Sequence, residues 1–236
     1  MTRVLVRWVR LALPLLLLDG CGAGDAAPAA PSATPTATLA PPTAEERCAT
    51  GSGEACAEAA DAMRVSAPDR ATALYVKGCE AGSAYGCARG AALVQPTDPV
   101  RAAAMLRAAC DSGFDTSCND LGYAAERGIG VPVDAALAFS LYAMTCDRGA
   151  PFGCFNEAIF LETGRSGAAP DEAGAARLYE KACAMGYDHA CAAFGRLLWL
   201  GEGVPEDRAR ASGLLRASCT NGYAFACEFL SNHPAP

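Results

Sequence analysis

The sequence predicts an all-α solenoid of about six helical hairpins, each stapled by a disulfide across its turn. Three observations carry this. Twelve of the thirteen cysteines fall into six pairs spaced eight residues apart: Cys48 with Cys56, Cys79 with Cys87, Cys110 with Cys118, Cys146 with Cys154, Cys183 with Cys191, and Cys219 with Cys227. The first members recur at intervals of 31, 31, 36, 37 and 36 residues, a period that marks stacked repeats. Three residues after every first cysteine stands a glycine: Gly51, Gly82, Gly113, Gly149, Gly186 and Gly222.

These marks place the elements of each unit. Glycine just past a helix takes the left-handed conformation that lets the last carbonyls find partners, so a first helix ends near each first cysteine. Four residues after each second cysteine stands a small residue: Ala60, Ala91, Gly122, Ala158, Gly195 or Ser231. A small side chain at a fixed helical position lets two backbones approach, so a second helix begins near each second cysteine. The first helix reads backwards from its cysteine. Alanine lies eight residues upstream at Ala71, Ala102, Ala138, Ala175 and Ala211. Large side chains lie five and four upstream: Leu74-Tyr75, Met105-Leu106, Leu141-Tyr142, Leu178-Tyr179 and Leu214-Leu215. With the residue directly before the cysteine, these offsets form one helical stripe. Twelve residues upstream, Asp98, Asp134, Asp171 and Asp207 are N-caps, because a carboxylate accepts from the free amides of a first turn. Pro99 follows at a position where a helix tolerates proline.

Cysteines at the end of one helix and the start of the next can be bridged across the turn. Each bond closes a nine-residue loop, worth at most ~2.6 kcal/mol by the chain-entropy argument. Six such staples matter in an alanine-rich array, since alanine buries little area per residue. Metal binding is the rival reading. The chain holds only His189 and His233 and no Cys-x-x-Cys, and an exported chain meets an oxidising compartment. No metal and no cofactor is expected.

Export is read from the N-terminus. Arg3, Arg7 and Arg10 precede an apolar stretch, Leu11 to Leu18, too short to span a bilayer. It ends in Leu18-Asp19-Gly20-Cys21, which resembles a bacterial lipobox, although Asp19 stands where a small or apolar residue is usual. Cys21, the odd cysteine, is thus the expected lipidation site, on the periplasmic face of a bacterial membrane and most simply the outer one. Proline-rich residues up to 43 lack an apolar period and read as a tether. The expected organisation is a signal peptide at 1–20, a tether at 21–43, the solenoid at 44–232 and a tail at 233–236. Cleavage before Cys21 leaves sixteen basic and twenty-five acidic residues, a formal −9. Such a balance excludes nucleic acid as a partner and disfavours docking on anionic lipid. The composition, 52% hydrophobic but only 7% aromatic, suits many closely packed helices better than one thick aromatic core.

Two inter-unit loops are nearly alike: Gly128-Ile129-Gly130-Val131-Pro132-Val133-Asp134 and Gly201-Glu202-Gly203-Val204-Pro205-Glu206-Asp207. With Leu121-Gly122-Tyr123 and the Ala-x-x-Leu-Tyr runs, they make the chain resemble the Sel1-like repeat, a relative of the tetratricopeptide repeat. The paired cysteines are similar to those of its disulfide-rich branch, the Helicobacter cysteine-rich proteins. The loop around Gly164 and Gly167 is looser, with Ala168 in place of valine, and the first two units lack the Gly-x-Gly-Val loop. The resemblance implies a right-handed superhelix with a concave groove, serving as a monomeric adaptor for an unknown protein or peptide. It also implies an alternative role, binding or slowly hydrolysing β-lactams.

The residues do not favour the alternative. A serine β-lactamase needs a lysine one helical turn after its serine and a Lys-Thr-Gly, yet neither Lys77 nor Lys181 stands so placed. Two histidines cannot furnish a catalytic zinc set. A Ser-His-Asp triad would need His189 or His233, and His189 reads as a solvated turn residue. No catalytic residue is assigned, and the chain reads as a non-enzyme. Binding has softer marks. Three and nine residues before each first cysteine the residue type varies while the packing stripe does not. First helices line the groove of tetratricopeptide-like arrays, so Arg101, Arg107, Arg210 and Arg216 are candidate contacts for an acidic or C-terminal carboxylate ligand.

Overall fold

The structure, a computed structural model, describes residues 40–165, 167 and 169–233. The expected signal peptide, Cys21 and nearly all of the tether lie outside the described residues, as do positions 234–236 of the tail. Among the described residues twelve helices follow one another: α1 (Ala44–Ala49), α2 (Gly53–Met63), α3 (Pro68–Glu80), α4 (Ala84–Val94), α5 (Pro99–Asp111), α6 (Asp115–Arg127), α7 (Ala135–Asp147), α8 (Pro151–Thr163), α9 (Glu172–Ala184), α10 (Asp188–Leu200), α11 (Arg208–Thr220) and α12 (Ala224–Asn232). They form six hairpins, and no strand occurs among the described residues. Each helix packs chiefly on its neighbours in the chain, the quasi-one-dimensional pattern of a solenoid.

The boundaries have local causes. Asp98, Asp134, Asp171 and Asp207 each accept the amide three residues on, at 2.8–2.9 Å. Thr43 and Glu46 form a reciprocal capping box at α1. The six turn glycines have φ between +84° and +99°, the left-handed region.

Across each turn the paired cysteines are bonded, with Cα atoms 4.4–4.8 Å apart. Cys48 is joined to Cys56, Cys79 to Cys87, and Cys110 to Cys118. Cys146 is joined to Cys154, Cys183 to Cys191, and Cys219 to Cys227. Every bridge thus lies within one hairpin, and each second cysteine sits in the first turn of its second helix. Cys56, Cys87, Cys118 and Cys154 are buried, whereas Cys191 and Cys227 are half-buried.

The core is the repeated stripe. Ala71, Ala102, Ala138, Ala175 and Ala211 are all at most 1% exposed. Tyr75, Tyr142, Tyr179 and Leu215 are buried beside them, whereas Leu74, Leu178 and Leu214 are only half-buried. Small residues of the second helices receive this stripe from the next hairpin. A Cβ at Gly122 would stand 2.8 Å from the ring of Tyr142, and one at Gly195 2.9 Å from Leu215. Ser231, grouped with these positions by its spacing, is instead exposed, because no following hairpin covers it among the described residues.

Where the stripe carries tyrosine, its hydroxyl donates to a carboxylate on the preceding second helix: Tyr75 to Asp61, Tyr142 to Glu126 at 3.3 Å, Tyr179 to Glu162 at 2.7 Å. Burial and the neighbouring carboxylate both push the Tyr142 and Tyr179 hydroxyls far above the usual phenol range. At the last interface Leu215 replaces the tyrosine, and buried Trp199 stands at the position held elsewhere by Glu126 and Glu162.

The Gly-x-Gly-Val loops have a steric origin. Gly128 and Gly201 cap α6 and α10 with φ of +71° and +70°. The second glycines, Gly130 and Gly203, reach back to the start of the first helix in the same hairpin. A Cβ on Gly130 would meet the Pro99 carbonyl oxygen at 1.9 Å, and one on Gly203 the Glu172 backbone at 2.4 Å. Gly167, in the looser loop, has nothing within 4 Å of its Cβ position.

Candidate functional site

The four first-helix arginines do not converge. Arg101 and Arg107 stand on α5, and Arg210 and Arg216 on α11, with two hairpins between. All four are exposed. Arg101 pairs with Glu80 of α3 and Arg210 with Glu180 of α9 at 2.6 Å. Arg70, at the equivalent offset in α3, pairs with Glu45 of α1 at 2.6 Å. These pairs link successive hairpins, a use the sequence reading did not foresee because the partners lie 21 to 30 residues apart. Arg210 also lies over the Phe194 ring at 5.0 Å and lines a shallow cleft with Glu180 and the Val204–Asp207 loop. Arg107 and Arg216 take no ion pair among the described residues.

The second helices carry a different surface. Three clefts recur along them at successive hairpins. The first, about 180 Å³, lies between α4 and α6 at Gln95, Asp120 and Tyr123. The next, about 140 Å³, runs from Tyr123 and Glu126 to Asn156 and Ile159. The last, about 260 Å³, is bordered by Ile159 and Phe155 of α8, His189 and Arg196 of α10, and Tyr223 with Phe225 at α12. Tyr123 and Ile159 each line two clefts, so the surface is continuous.

The last cleft is the most differentiated. Its rings form a chain: Phe155 meets Tyr187 at 5.4 Å between centroids, Tyr187 stacks on His189 at 5.1 Å, His189 meets Tyr223 at 4.2 Å, and Tyr223 meets Phe225 at 5.9 Å. His189 is exposed at the turn into a helix, where its spacing put it; it is the second residue of α10 and has a ring on either side. Burial pushes the Tyr187 and Tyr223 hydroxyls up, which keeps both neutral. At one side Arg196 forks between Glu162 and Glu202, the latter at 2.6 Å, while Glu162 also accepts from Tyr179. This group has one carboxylate in excess.

These residues lie on the second helices, away from the first-helix positions whose variation points to the arginines. A signal was present at the N-caps of the second helices. Ser52 and Ser83 cap α2 and α4 with their hydroxyls, whereas Tyr187 and Tyr223 occupy the same position without a side-chain cap. A ring has replaced a hydroxyl there. Among the described residues, no group of three His, Cys, Asp or Glu side chains is arranged to hold a metal ion. No described helix is long and apolar enough to cross a membrane.

The profile of the Sel1 repeat matches residues 79–114, 116–149, 151–187 and 188–223, more than half of the chain. The chain belongs to the Sel1 repeat family. The first matched Sel1 repeat begins at the end of α3 and the other three at the start of α6, α8 and α10, and each runs through the next first helix into its turn, so its units are the hairpins shifted by one helix. The fold is similar to that of a Sel1 repeat protein from Oxalobacter formigenes, at 21% identity and a TM-score of 0.72, over 78% of this chain and 76% of that one. It is also similar to a protective antigen of uropathogenic Escherichia coli, at 18% identity and a TM-score of 0.71, over 78% of this chain and 41% of the other. A stretch of 93 residues, 39% of the chain, is 32% identical to cytochrome c oxidase assembly factor 7A of Xenopus laevis and covers 40% of that protein. The chain thus spans less than half the length of that curated relative.

Proposed function

We propose that this chain is a lipid-anchored extracytoplasmic scaffold whose Sel1 repeats present a surface to a protein or peptide partner. The observation that carries the reading is the continuous second-helix surface, with clefts at successive hairpins and an aromatic one at the end. A solenoid commits its stripe residues to the core and leaves recognition to the positions that vary. The name of the Xenopus relative, an assembly factor, fits a role exercised on other proteins. Anchoring through Cys21 rests on the lipobox-like Leu18-Asp19-Gly20-Cys21, with residues 21–43 holding the array away from the membrane. Arg107 and Arg216 remain proposed contacts, and Arg101 and Arg210 become available to a ligand carboxylate if it displaces Glu80 or Glu180.

Two experiments test this. Labelled fatty acid should enter the wild-type protein and not Cys21→Ser; an unlabelled, freely soluble wild type rejects the anchor. Crosslinking in the cell envelope, followed by purification under denaturing conditions, should recover a defined partner. That partner should be lost when the ring surface is altered by Tyr223→Ser with Phe225→Ser, or when Arg107→Glu with Arg216→Glu reverses the first-helix charges. Recovery of one partner unaffected by both changes rejects these surfaces. Turnover of a β-lactam that survives purification and vanishes on one serine or histidine substitution rejects the non-enzymatic reading.

A further inference from the structure

We propose that the cleft between α8, α10 and α12 receives a cationic side chain, arginine or lysine, from an extended protein segment lying along the second helices. The inference deepens the scaffold reading and rests on it. Three features point to this occupant. The first is the ring cluster: His189 and Phe225 are exposed, Phe225 at 40%, and Phe155 and Tyr223 are half-buried. Aromatic faces carry negative potential and attract a guanidinium or ammonium group. The second is charge. Glu162 and Arg196 line the cleft, and Glu202 holds Arg196 from the adjoining loop, so the group at the cleft's side carries one net negative charge, which favours a cation over an acidic segment.

The third feature is shape. The cleft is open and continues through Ile159 into the cleft at Asn156 and Tyr123, which itself continues to Asp120. A small free cation would use only the ring end. An extended segment can place one basic side chain among the rings and run its backbone toward the other clefts. The surface also differs from the first-helix face, where Arg70, Arg101 and Arg210 already neutralise glutamates of the preceding hairpin. The second-helix face holds one net negative charge, from Glu162 and Glu202 on Arg196, beside the ring cluster.

The chain supplies its own reporter. Only two histidines exist, His189 in the cleft and His233 stacked on Phe229 at 4.2 Å. The full chain with disulfides intact, labelled with carbon-13 at histidine, is titrated with three capped pentapeptides: Ala-Phe-Arg-Phe-Ala, its norleucine analogue and its glutamate analogue. The arginine peptide should move the His189 ring signals and leave those of His233 in place. The norleucine analogue should bind about fivefold more weakly, the loss expected for one cation–π contact, and the glutamate analogue more weakly still. Glu202→Gln should narrow the gap between the arginine and norleucine peptides, and Phe225→Ser should weaken the arginine peptide about fivefold or more. Equal or tighter binding of the norleucine or glutamate peptide overturns the cationic assignment. A His189 signal unmoved by every peptide overturns the cleft as a site. A crosslinked partner retained by Phe225→Ser would leave the scaffold reading standing while rejecting this cleft, whereas a wild-type chain that captures no partner and responds to no peptide would reject the two together.

Discussion

Alanine at Gly130 and alanine at Gly113 should differ in cost although both glycines are left-handed. Their φ values are +70° and +93°, so each substitution meets a backbone penalty of roughly 1–2 kcal/mol. Gly113 has nothing within 4 Å of its Cβ position, and the penalty ends there. At Gly130 the added carbon would lie 1.9 Å from the Pro99 carbonyl oxygen and 2.9 Å from the Val100 amide nitrogen. Both neighbours are backbone at the start of α5 and cannot swing aside. The loop must withdraw, loosening half-buried Val131 from its contacts and straining the bond from the Asp134 amide to the Ala125 carbonyl, now 2.8 Å. Forced overpacking of this kind adds about 1–3 kcal/mol, so the total at Gly130 reaches about 2–5 kcal/mol. Denaturant unfolding followed by circular dichroism, with disulfides intact, measures both losses, and a shared slope shows that the same unit unfolds. Gly203→Ala should behave like Gly130→Ala, because its Cβ would meet the Glu172 backbone. Equal losses at Gly113 and Gly130 would refute the close-approach account of the Gly-x-Gly-Val loop.

Asp171→Ala removes the acceptor of the Gly174 amide and should lower stability by about 1 kcal/mol in the same assay, with Asp171→Ser recovering most of it. Burial raises the pKa of Asp120 against an opposing hydrogen bond from Asn119, so the folded state holds the proton more tightly than the unfolded chain. Stability is then lost as pH rises through that group, and Asp120→Asn should stabilise the protein at neutral pH by an amount that fades as pH falls toward the ordinary carboxylate range near ~3.9. Non-reducing peptide mapping should return only bridges within a hairpin, and the double substitution Cys146→Ser with Cys154→Ser should cost more than the ~2.6 kcal/mol of loop entropy, because both positions are buried and a serine hydroxyl there loses its water. A bridge between hairpins, such as one from Cys56 to Cys87 or from Cys191 to Cys227, would refute the local staple.

Much of the fold was legible because its signals are local. The eight-residue cysteine spacing, the glycine three residues on and the aspartate twelve residues back all act within one hairpin, and a helix cap needs only its first turn. The stripe through Ala138, Leu141 and Tyr142 is likewise a property of one helix. The surface was less legible because it joins residues distant in sequence. Arg210 and Glu180 are 30 residues apart, and Arg196 and Glu162 are 34 apart. Nothing in either neighbourhood announces the partner. The ring contacts of His189 were hidden for the same reason: they lie with Tyr223 of the next hairpin, 4.2 Å away between ring centroids. Ser231 satisfied the small-residue spacing, but the spacing cannot say whether another hairpin follows to bury it.

The placement of the differentiated cleft follows from how the interfaces change along the array. Tyr142 and Tyr179 each ask for a carboxylate at the end of the preceding second helix, and Glu126 and Glu162 supply it. Each of those acids then takes an arginine: Arg165 on Glu126 at 2.7 Å, and Arg196 on Glu162. At the last interface Leu215 needs no such acceptor, and Trp199 fills the space with apolar surface while its ring carries Arg208 at 5.4 Å. The acid of that step is therefore not drawn into the core. Glu202 instead stands in the loop, free to reach Arg196 from the other side and leave the group with net negative charge. The rings follow the same logic. A tyrosine at the start of α10 or α12 gives up the serine cap used in the first two hairpins, a loss of about 1 kcal/mol, while every hairpin keeps the disulfide across the same turn. That exchange of cap for ring sets Tyr187 and Tyr223 beside His189 and Phe225.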